Sequence, residues 1–190
     1  VSTLIFRTPN FERVKNQSSK QKSVRLLLIT ATTVATFMLG TSASPSLASP
    51  SPAVAAKGIR GQVFTASAAK SLKDGQKVTL TGKGYNTKLG IYVTYCVIPP
   101  KGQRPEQCGP FDITGKNNSS FWISSNPPLY AVALVTKFGK GGTFKVAMAA
   151  TRKIGESDCA IVRCAFTTRA DHTNSENRTA DVFIPVTFRP

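Results

Sequence analysis

The sequence predicts an all-β fold, an antiparallel sandwich of about seven short strands preceded by an N-terminal signal peptide. Two observations predict it. After about residue 60, apolar and polar residues alternate in short segments separated by Gly, Asn, Asp and Pro, which is the pattern of half-buried strands joined by turns. The same region shows no amphipathic helical period in its sequence.

Residues 1–48 predict a signal peptide or leader. Six basic residues between Arg7 and Arg25 precede an uncharged apolar stretch at 26–40, and small residues at 41–43 and 46–48 are candidate cleavage sites. A helix of that stretch would span roughly 22 Å, short of a bilayer core of about 30 Å. Cleavage on export is therefore favoured over an uncleaved anchor, and no transmembrane segment is expected in the mature chain. The Ser/Pro/Ala-rich residues 49–60 predict a linker, and 61–190 the folded domain.

The strands follow in order, each bounded by turn residues. We predict them at 61–67, 77–81, 90–98, 119–125, 130–136, 143–149, 160–168 and 181–188, with turns that include 73–76 and 115–118. The segment 90–98 is apolar on both faces, as expected of a central strand: Ile91, Val93, Tyr95 and Val97 share one side, and Tyr92, Thr94 and Cys96 the other. Pro185 cannot donate to a ladder, so the last strand is expected at an edge or with a bulge.

The four cysteines indicate local disulfides. Cys159 and Cys164 would lie roughly 16 Å apart on a straight strand, whereas a bridge needs Cα atoms about 5.5 Å apart; pairing would therefore fold the chain back at 160–163. Cys96 and Cys108 bracket a Pro/Gly-rich loop. Bridges Cys96–Cys108 and Cys159–Cys164 are the economical choice among three connectivities, and they predict an oxidising location, secreted or in the cell envelope.

Strand number and local bridges together favour an immunoglobulin-like Greek-key sandwich, with a small Greek-key barrel as the alternative. The whole chain has a net charge of +16, and from Ser49 onward 19 basic and 8 acidic side chains leave about +11. A solvated, basic surface is the simpler interpretation; affinity for anionic polymers is the other. The charges are scattered and not interleaved with aromatic residues, which argues against sequence-specific nucleic-acid binding.

Catalytic and metal chemistry is not predicted. Four paired cysteines leave no free thiol, and their spacings do not match zinc hooks. His172 is the single histidine, and its polar neighbours predict a solvated loop. Residues 139–143 resemble a phosphate-binding loop only superficially, without the Walker spacing, and a flexible hairpin is expected. We therefore expect a non-enzymatic protein without a metal or bound cofactor.

The residues also resemble a known family. In order come Asp74-Gly75 before an alternating strand, Gly82-x-Gly84-Tyr85, the strand 90–96 ending in Cys96, the partner Cys108, Phe111-Asp112, then Asp158 before Cys159 and Cys164, and a C-terminal strand. This pattern, over roughly 61–190, is similar to the neocarzinostatin family of secreted antitumour chromoproteins. The chain departs from that family in its basic charge, in Ile98 where the type member has an aromatic residue, and in the longer segment 125–158.

The resemblance implies a seven-stranded sandwich with two local disulfides and a cleft beside the first. Family members hold there a labile, non-covalent enediyne chromophore that attacks DNA. Carried over by resemblance, the candidate cleft residues are Tyr95, Ile98, Phe111, Phe121 and Trp122, together with Cys96 and Cys108. Alternation places one of Phe121 and Trp122 in the core, and we expect Trp122 to be the cleft or surface residue.

The predicted function is an exported, monomeric binding module for a small apolar or aromatic ligand. The alternative is a cell-envelope domain that binds anionic wall polymers through its basic surface.

Overall fold

The strands form two facing sheets in a computed structural model that describes residues 52–112 and 119–190. The chain runs through β1 (Val54–Lys57), β2 (Val63–Ala66), β3 (Gln76–Lys83), β4 (Ile91–Val97), β5 (Ser120–Ile123), β6 (Val135–Thr136), β7 (Phe144–Ala150), β8 (Lys153–Ile154), β9 (Ser157–Asp158), β10 (Cys164–Ala170) and β11 (Val182–Pro185). Short 3-10 helices occupy Leu129–Ala131, His172–Asn174 and Arg178–Ala180. The leader predicted at 1–48 and the turn predicted at 115–118 lie outside the described residues.

The topology is that of an antiparallel Greek-key sandwich, as predicted. One sheet has the order β1-β2-β3-β7 and the other β11-β10-β4-β5-β6. The neighbours β3 and β7, and likewise β4 and β10, are far apart in sequence, so the chain crosses repeatedly between the sheets. Among the strands in the described residues, β6 alone pairs in parallel, with β5. β8 and β9 form a separate hairpin.

Between the sheets lies a core built by strict alternation in the four-stranded sheet. Phe144, Val146 and Met148 of β7 are buried, while Lys145 and Ala147 face solvent. The largest fully buried side chains come from both sheets: Phe64, Val78, Leu80, Met148, Ile91, Val93, Tyr95, Ile123, Phe166 and Ile184, with Leu72 and Ile154 from connecting segments. Each such apolar side chain contributes about 1.5–3 kcal/mol by leaving water.

Strand β4 is buried on both faces, as its composition predicts. Every residue from Ile91 to Cys96 is buried, because the loops after β4 and β5 cover the side of the sheet that faces away from the core. A second small cluster forms there from Tyr92, Trp122 and Ala131. The outer face of this sheet is therefore a packed surface rather than a solvated one.

Both predicted disulfides are present, Cys96–Cys108 and Cys159–Cys164. The Cα atoms of Cys159 and Cys164 lie 5.4 Å apart because the chain turns between them. The turn begins at Asp158, whose carbonyl accepts from the amides of Ile161 and Val162. Its carboxylate accepts from the amide of Ala160 and from the guanidinium of Arg152.

Three element predictions need correction. The strand predicted at 130–136 is mostly a 3-10 turn, because Pro127 and Pro128 precede it and the Ala131 amide bonds the carbonyl of Pro128; only Val135–Thr136 extend. The strand predicted from residue 160 begins at Cys164, since 160–163 form the cross-linked turn. Within the predicted linker, Val54–Lys57 form β1, which gains its ladder from β2 rather than from a strand-like sequence.

The last strand lies at the edge of its sheet with Pro185 at its end, as predicted. Within the described residues, no helix is long and apolar enough to span a bilayer.

Candidate ligand-binding groove

Two concavities share Arg104 in their walls, and the first of them borders the Cys96–Cys108 bridge. The first, here called the loop groove, has a volume of about 600 Å³. It is lined by Val97, Ile98, Pro99, Pro100, Gly102, Gln103, Arg104, Glu106, Gln107, Glu176 and Arg178. The second, the aromatic groove, has a volume of about 220 Å³ and is lined by Tyr92, Arg104, Phe111, Arg169, Ala170, Asp171 and His172.

Tyr92 is the centre of the aromatic groove. Its ring meets Phe111 edge-on, with centroids 4.8 Å apart, and stacks near His172 at 6.1 Å. The Tyr92 hydroxyl and Nδ1 of His172 are hydrogen-bonded at 2.6 Å. Phe111 remains 50% exposed at the rim. The groove therefore offers an aromatic wall whose central ring is fixed at its hydroxyl.

The pairing of β4 with β5 positions the tryptophan behind this wall. Tyr92 and Trp122 are register partners, so both side chains point to the outer face, with ring centroids 6.0 Å apart. Trp122 Nε1 donates to Oδ2 of the buried Asp171 at 2.9 Å. Since a buried indole N–H needs an acceptor, this bond fixes the tryptophan ring against Tyr92.

Asp171 connects the sheet to the helix that carries His172. Its Oδ1 accepts from the amide and the hydroxyl of Thr173, at 3.0 and 2.6 Å, and so caps the helix His172–Asn174. Gly90 leaves room for this carboxylate, because a Cβ there would lie 1.8 Å from Oδ2. Asp171 thus has both oxygens engaged in holding the wall together.

Three arginines gather where the two grooves meet. Arg169, the register partner of Tyr92 on β10, places its guanidinium 5.6 Å from the Tyr92 ring centroid, and its Nη1 donates to the carbonyl of Pro105 at 3.1 Å. Arg178 pairs with Asp181 at 3.0 Å, and Arg104 with Glu176 at 3.6 Å. Among the described residues, Arg169 alone of the three has no carboxylate within salt-bridge distance.

Burial shifts the pKa of two groups in this wall. It lowers the pKa of Arg169, and the nearby positive charge of Arg104 lowers it further. Burial also raises the pKa of Tyr92, with the Asp171 carboxylate acting in the same direction. Tyr92 is therefore a neutral phenol at physiological pH, while Arg169 keeps its charge in a partly desolvated place.

The structure brings together some of the five predicted site residues and separates others. Phe111 lines the aromatic groove, Trp122 supports it from behind, and Ile98 lines the loop groove. The cleft assignment of Tyr95 and Phe121 is corrected. Tyr95 points into the inter-sheet core, with its ring centroid 5.5 Å from that of Phe166, and Phe121 packs against the same core. Both lie on the inner face because strand alternation puts them opposite Tyr92 and Trp122.

The groove residues that sequence reasoning missed are Tyr92, Arg169 and His172. Tyr92 had a readable signal, a large aromatic residue on the face of a central strand that turns away from the core. His172 is exposed, as predicted, but it bonds Tyr92, and its ring centroid lies 5.0 Å from that of Trp122. These contacts join His172 to residues 80 and 50 positions earlier in the chain, which no local pattern displays.

A better-enclosed concavity lies elsewhere, away from the bridge. It measures about 510 Å³ and is lined by Arg60, Gln62, Gly84, Tyr85, Asn86, Leu89, Ile91, Asn177, Thr179 and Ala180. None of the predicted site residues contributes to it. Among the described residues, no cluster of three His, Cys, Asp or Glu side chains could hold a metal ion.

Comparison with known proteins gives one solved structure to report. No family model matches the chain, and no curated protein matches it. Macromomycin, of the neocarzinostatin family, is similar in structure, with 15% sequence identity, a TM-score of 0.44, and coverage of 67% of this chain and 98% of macromomycin. Its family is the one that the sequence resembles, and the likeness is one of fold.

Proposed function

We propose that the chain is an exported, non-enzymatic binding module that holds a small apolar or aromatic ligand in the aromatic groove. The observation that supports this proposal is on the outer face of the five-stranded sheet, where the half-exposed ring of Phe111 packs edge-on against the ring of Tyr92. Covering an exposed aromatic side chain in a concavity with an apolar ring removes apolar surface from water, which lowers the free energy of the complex.

The contribution that Phe111 should make to the binding free energy is modest but measurable. A ligand ring that covers about 40 Å² of the exposed half of Phe111 contributes about 1 kcal/mol at roughly 25 cal/mol per Å², and an edge-to-face or stacked ring adds about 0.5–1.5 kcal/mol. Tyr92 is already held by His172 and packed against Trp122, so little side-chain entropy is lost on binding. Phe111 alone should account for about a tenfold change in affinity.

The first experiment is mass spectrometry of the protein purified from its own culture. A native mass that exceeds the denaturing mass by a discrete small molecule identifies a carried ligand. The denaturing mass also gives the mature N-terminus and shows both disulfides as four missing hydrogens. If the native and the denaturing mass are equal in protein from every growth condition, the result counts against a carrier role.

A titration locates the site. The chain has a single tryptophan, so fluorescence of Trp122 reports directly on the groove as an uncharged aromatic probe, biphenyl carboxamide, is added. Phe111→Ala should weaken binding about tenfold. Ile161→Ala removes an 84% exposed apolar side chain outside both grooves and should leave the affinity unchanged. Equal weakening in the two variants would reject the groove as the site.

A second function, binding of anionic wall polymers, is favoured by the opposite sheet. Lys57, Lys77, Lys83 and Lys145 are exposed on β1, β3 and β7, and the four strands of this sheet contain neither Asp nor Glu. A flat face with one sign of charge suits a polyanion, and its affinity must fall with salt.

Retention on dextran sulfate, compared with uncharged dextran, tests this function. Lys83→Gln combined with Lys145→Gln should elute at clearly lower salt than the wild type. Lys88→Gln combined with Lys137→Gln removes the same charge from exposed loop positions and serves as the control. If the two double variants elute together, only net charge matters and the sheet face has no special role.

A further inference from the structure

Within the described residues, the guanidinium group of Arg169 is only partly hydrogen-bonded. Its Nη1 donates to the carbonyl of Pro105, whereas its Nε is buried without a hydrogen-bond partner and Nη2 makes no bond within the described residues. A guanidinium carries five N–H donors and is stable in a partly buried place when an anion or several acceptors engage them. Tyr92 supplies its ring face, which does not replace an anionic partner.

The neighbouring carboxylates are committed to other groups. Asp171 uses both oxygens for Trp122 and Thr173. Asp181 pairs with Arg178 through Oδ2, and its Oδ1 is buried without a hydrogen-bond partner, so it acts on Arg169 only at longer range. Glu176 contacts Arg104 at 3.6 Å, but its side chain is 88% exposed, so this pair is a weak, solvent-screened one. Arg104 can therefore leave Glu176 at small cost and serve a ligand.

Positive charge also accumulates here beyond what the fold uses. Burial, Arg104 and Arg178 lower the pKa of Arg169 while Tyr92 and Asp181 raise it, so Arg169 lies within electrostatic reach of two other guanidinium groups. Like charges brought together in a partly desolvated place destabilise the folded state unless an anion joins them. Arg104 and Arg169 both line the aromatic groove, on the side facing Phe111 and Tyr92.

We propose that the ligand of the aromatic groove is an aromatic anion, a planar ring bearing a carboxylate or comparable oxyanion, whose ring lies against Phe111 and Tyr92 and whose oxyanion is bound by Arg169 and Arg104. This inference rests on the proposed function and adds the charge of the ligand to it. The guanidinium fork suits an oxyanion because planar N–H pairs match its oxygens.

The test uses two probes that differ only in charge, biphenyl carboxylate and biphenyl carboxamide, titrated against the full domain with Trp122 fluorescence as the signal. The carboxylate should bind about tenfold more tightly, as expected of charge-assisted hydrogen bonds, and this preference should shrink as salt is raised. Arg169→Gln and Arg104→Gln should each reduce the preference while affecting the amide little. Lys145→Gln, which removes one charge from the opposite sheet, should leave the preference intact.

The outcomes separate the two proposals. Equal binding of both probes overturns the anionic preference and leaves the aromatic groove standing, whereas binding of neither probe refutes the proposed function itself. If Arg169→Gln does not fold, as judged by circular dichroism, Arg104→Gln decides alone. An undiminished preference in that variant overturns the assignment of Arg104 and Arg169 as the anion site. A loss matched by Lys145→Gln shows a net-charge effect and overturns it as well.

Discussion

Removing the Asp171 carboxylate should loosen the aromatic wall in a way that can be measured at one atom. Asp171 accepts from Trp122 Nε1 at 2.9 Å and from the amide and hydroxyl of Thr173 at 3.0 and 2.6 Å. In Asp171→Ala the buried indole N–H is left without its acceptor, which costs about 1.5–3 kcal/mol for a bond to a charged group. Loss of the helix cap adds about 1 kcal/mol. The free energy of unfolding should therefore fall by about 2.5–4 kcal/mol.

Asp171→Asn should have a smaller effect on stability, because its single amide oxygen can accept a hydrogen bond from Trp122 or from Thr173 but not from both. We expect a loss of about half that of the alanine variant. Glu156→Ala is the matched control, since this carboxylate is exposed and makes no bond within the described residues. It should change the stability by less than about 0.5 kcal/mol.

Two measurements check the expectation. Urea unfolding followed by Trp122 fluorescence gives the free energy. The single indole N–H signal in a proton–nitrogen NMR spectrum reports the bond itself, and it should move upfield and exchange faster with solvent in Asp171→Ala. An indole signal that keeps its position and protection, together with wild-type stability, would show that Asp171 does not hold Trp122.

Three further predictions concern the fold around the site. Gly142→Ala should lower the free energy of unfolding by at least about 2 kcal/mol more than Gly141→Ala does. Both glycines have positive φ, but of the two only Gly142 would bring a Cβ against backbone, 2.0 Å from the carbonyl oxygen of Tyr85. Equal shifts of the melting temperature would disprove the close approach. Replacing Cys96 and Cys108 together by Ser should lower the free energy of unfolding by about 3 kcal/mol through loop entropy, and an unchanged urea midpoint would contradict this. Burial raises the pKa of Asp181 from 3.8 to about 6, so the folded state binds this proton more tightly than the unfolded state, and the free energy of unfolding should fall as pH rises from about 4 to about 6. Asp181→Asn should flatten this dependence. A variant whose stability falls with pH as steeply as that of the wild type would refute the shift.

The elements that the sequence predicted well are those whose signal is local. Strand β7 alternates buried and exposed residues without exception through Met148, and β4 is a continuous apolar run that is buried on both faces. The cysteine spacing predicted the turn at 160–163 because chain geometry forbids a straight strand between bridged residues five positions apart. In each case a rule over a few residues was sufficient.

The errors occurred where neighbours elsewhere in the chain decide the structure. Leu129 and Tyr130 have a strand-like composition, yet both are largely exposed in a turn that follows two prolines. Val54–Lys57 have a weak strand sequence, yet they pair with β2 along their whole length. Tyr95 and Phe121 were assigned to the cleft by resemblance, although the alternation of β4 and β5 turns them into the core.

The position of the groove follows from a difference between the two sheets that the sequence already contains. In β3 and β7 the outward positions carry Lys, Thr and Ala, so this face is solvated and basic. In β4 and β10 the outward positions are buried, except for the half-buried Arg169, and such strands require a cover. The cover is formed by loops that meet at Tyr92 and leave the half-exposed ring of Phe111 near Arg169, which has no carboxylate within salt-bridge distance in the described part of the chain. A sandwich that only needed stability would bury this face completely or make it polar. The partial covering, with a charge left incompletely bonded inside it, is the reason to place ligand binding on this sheet and to expect an anionic aromatic ligand there.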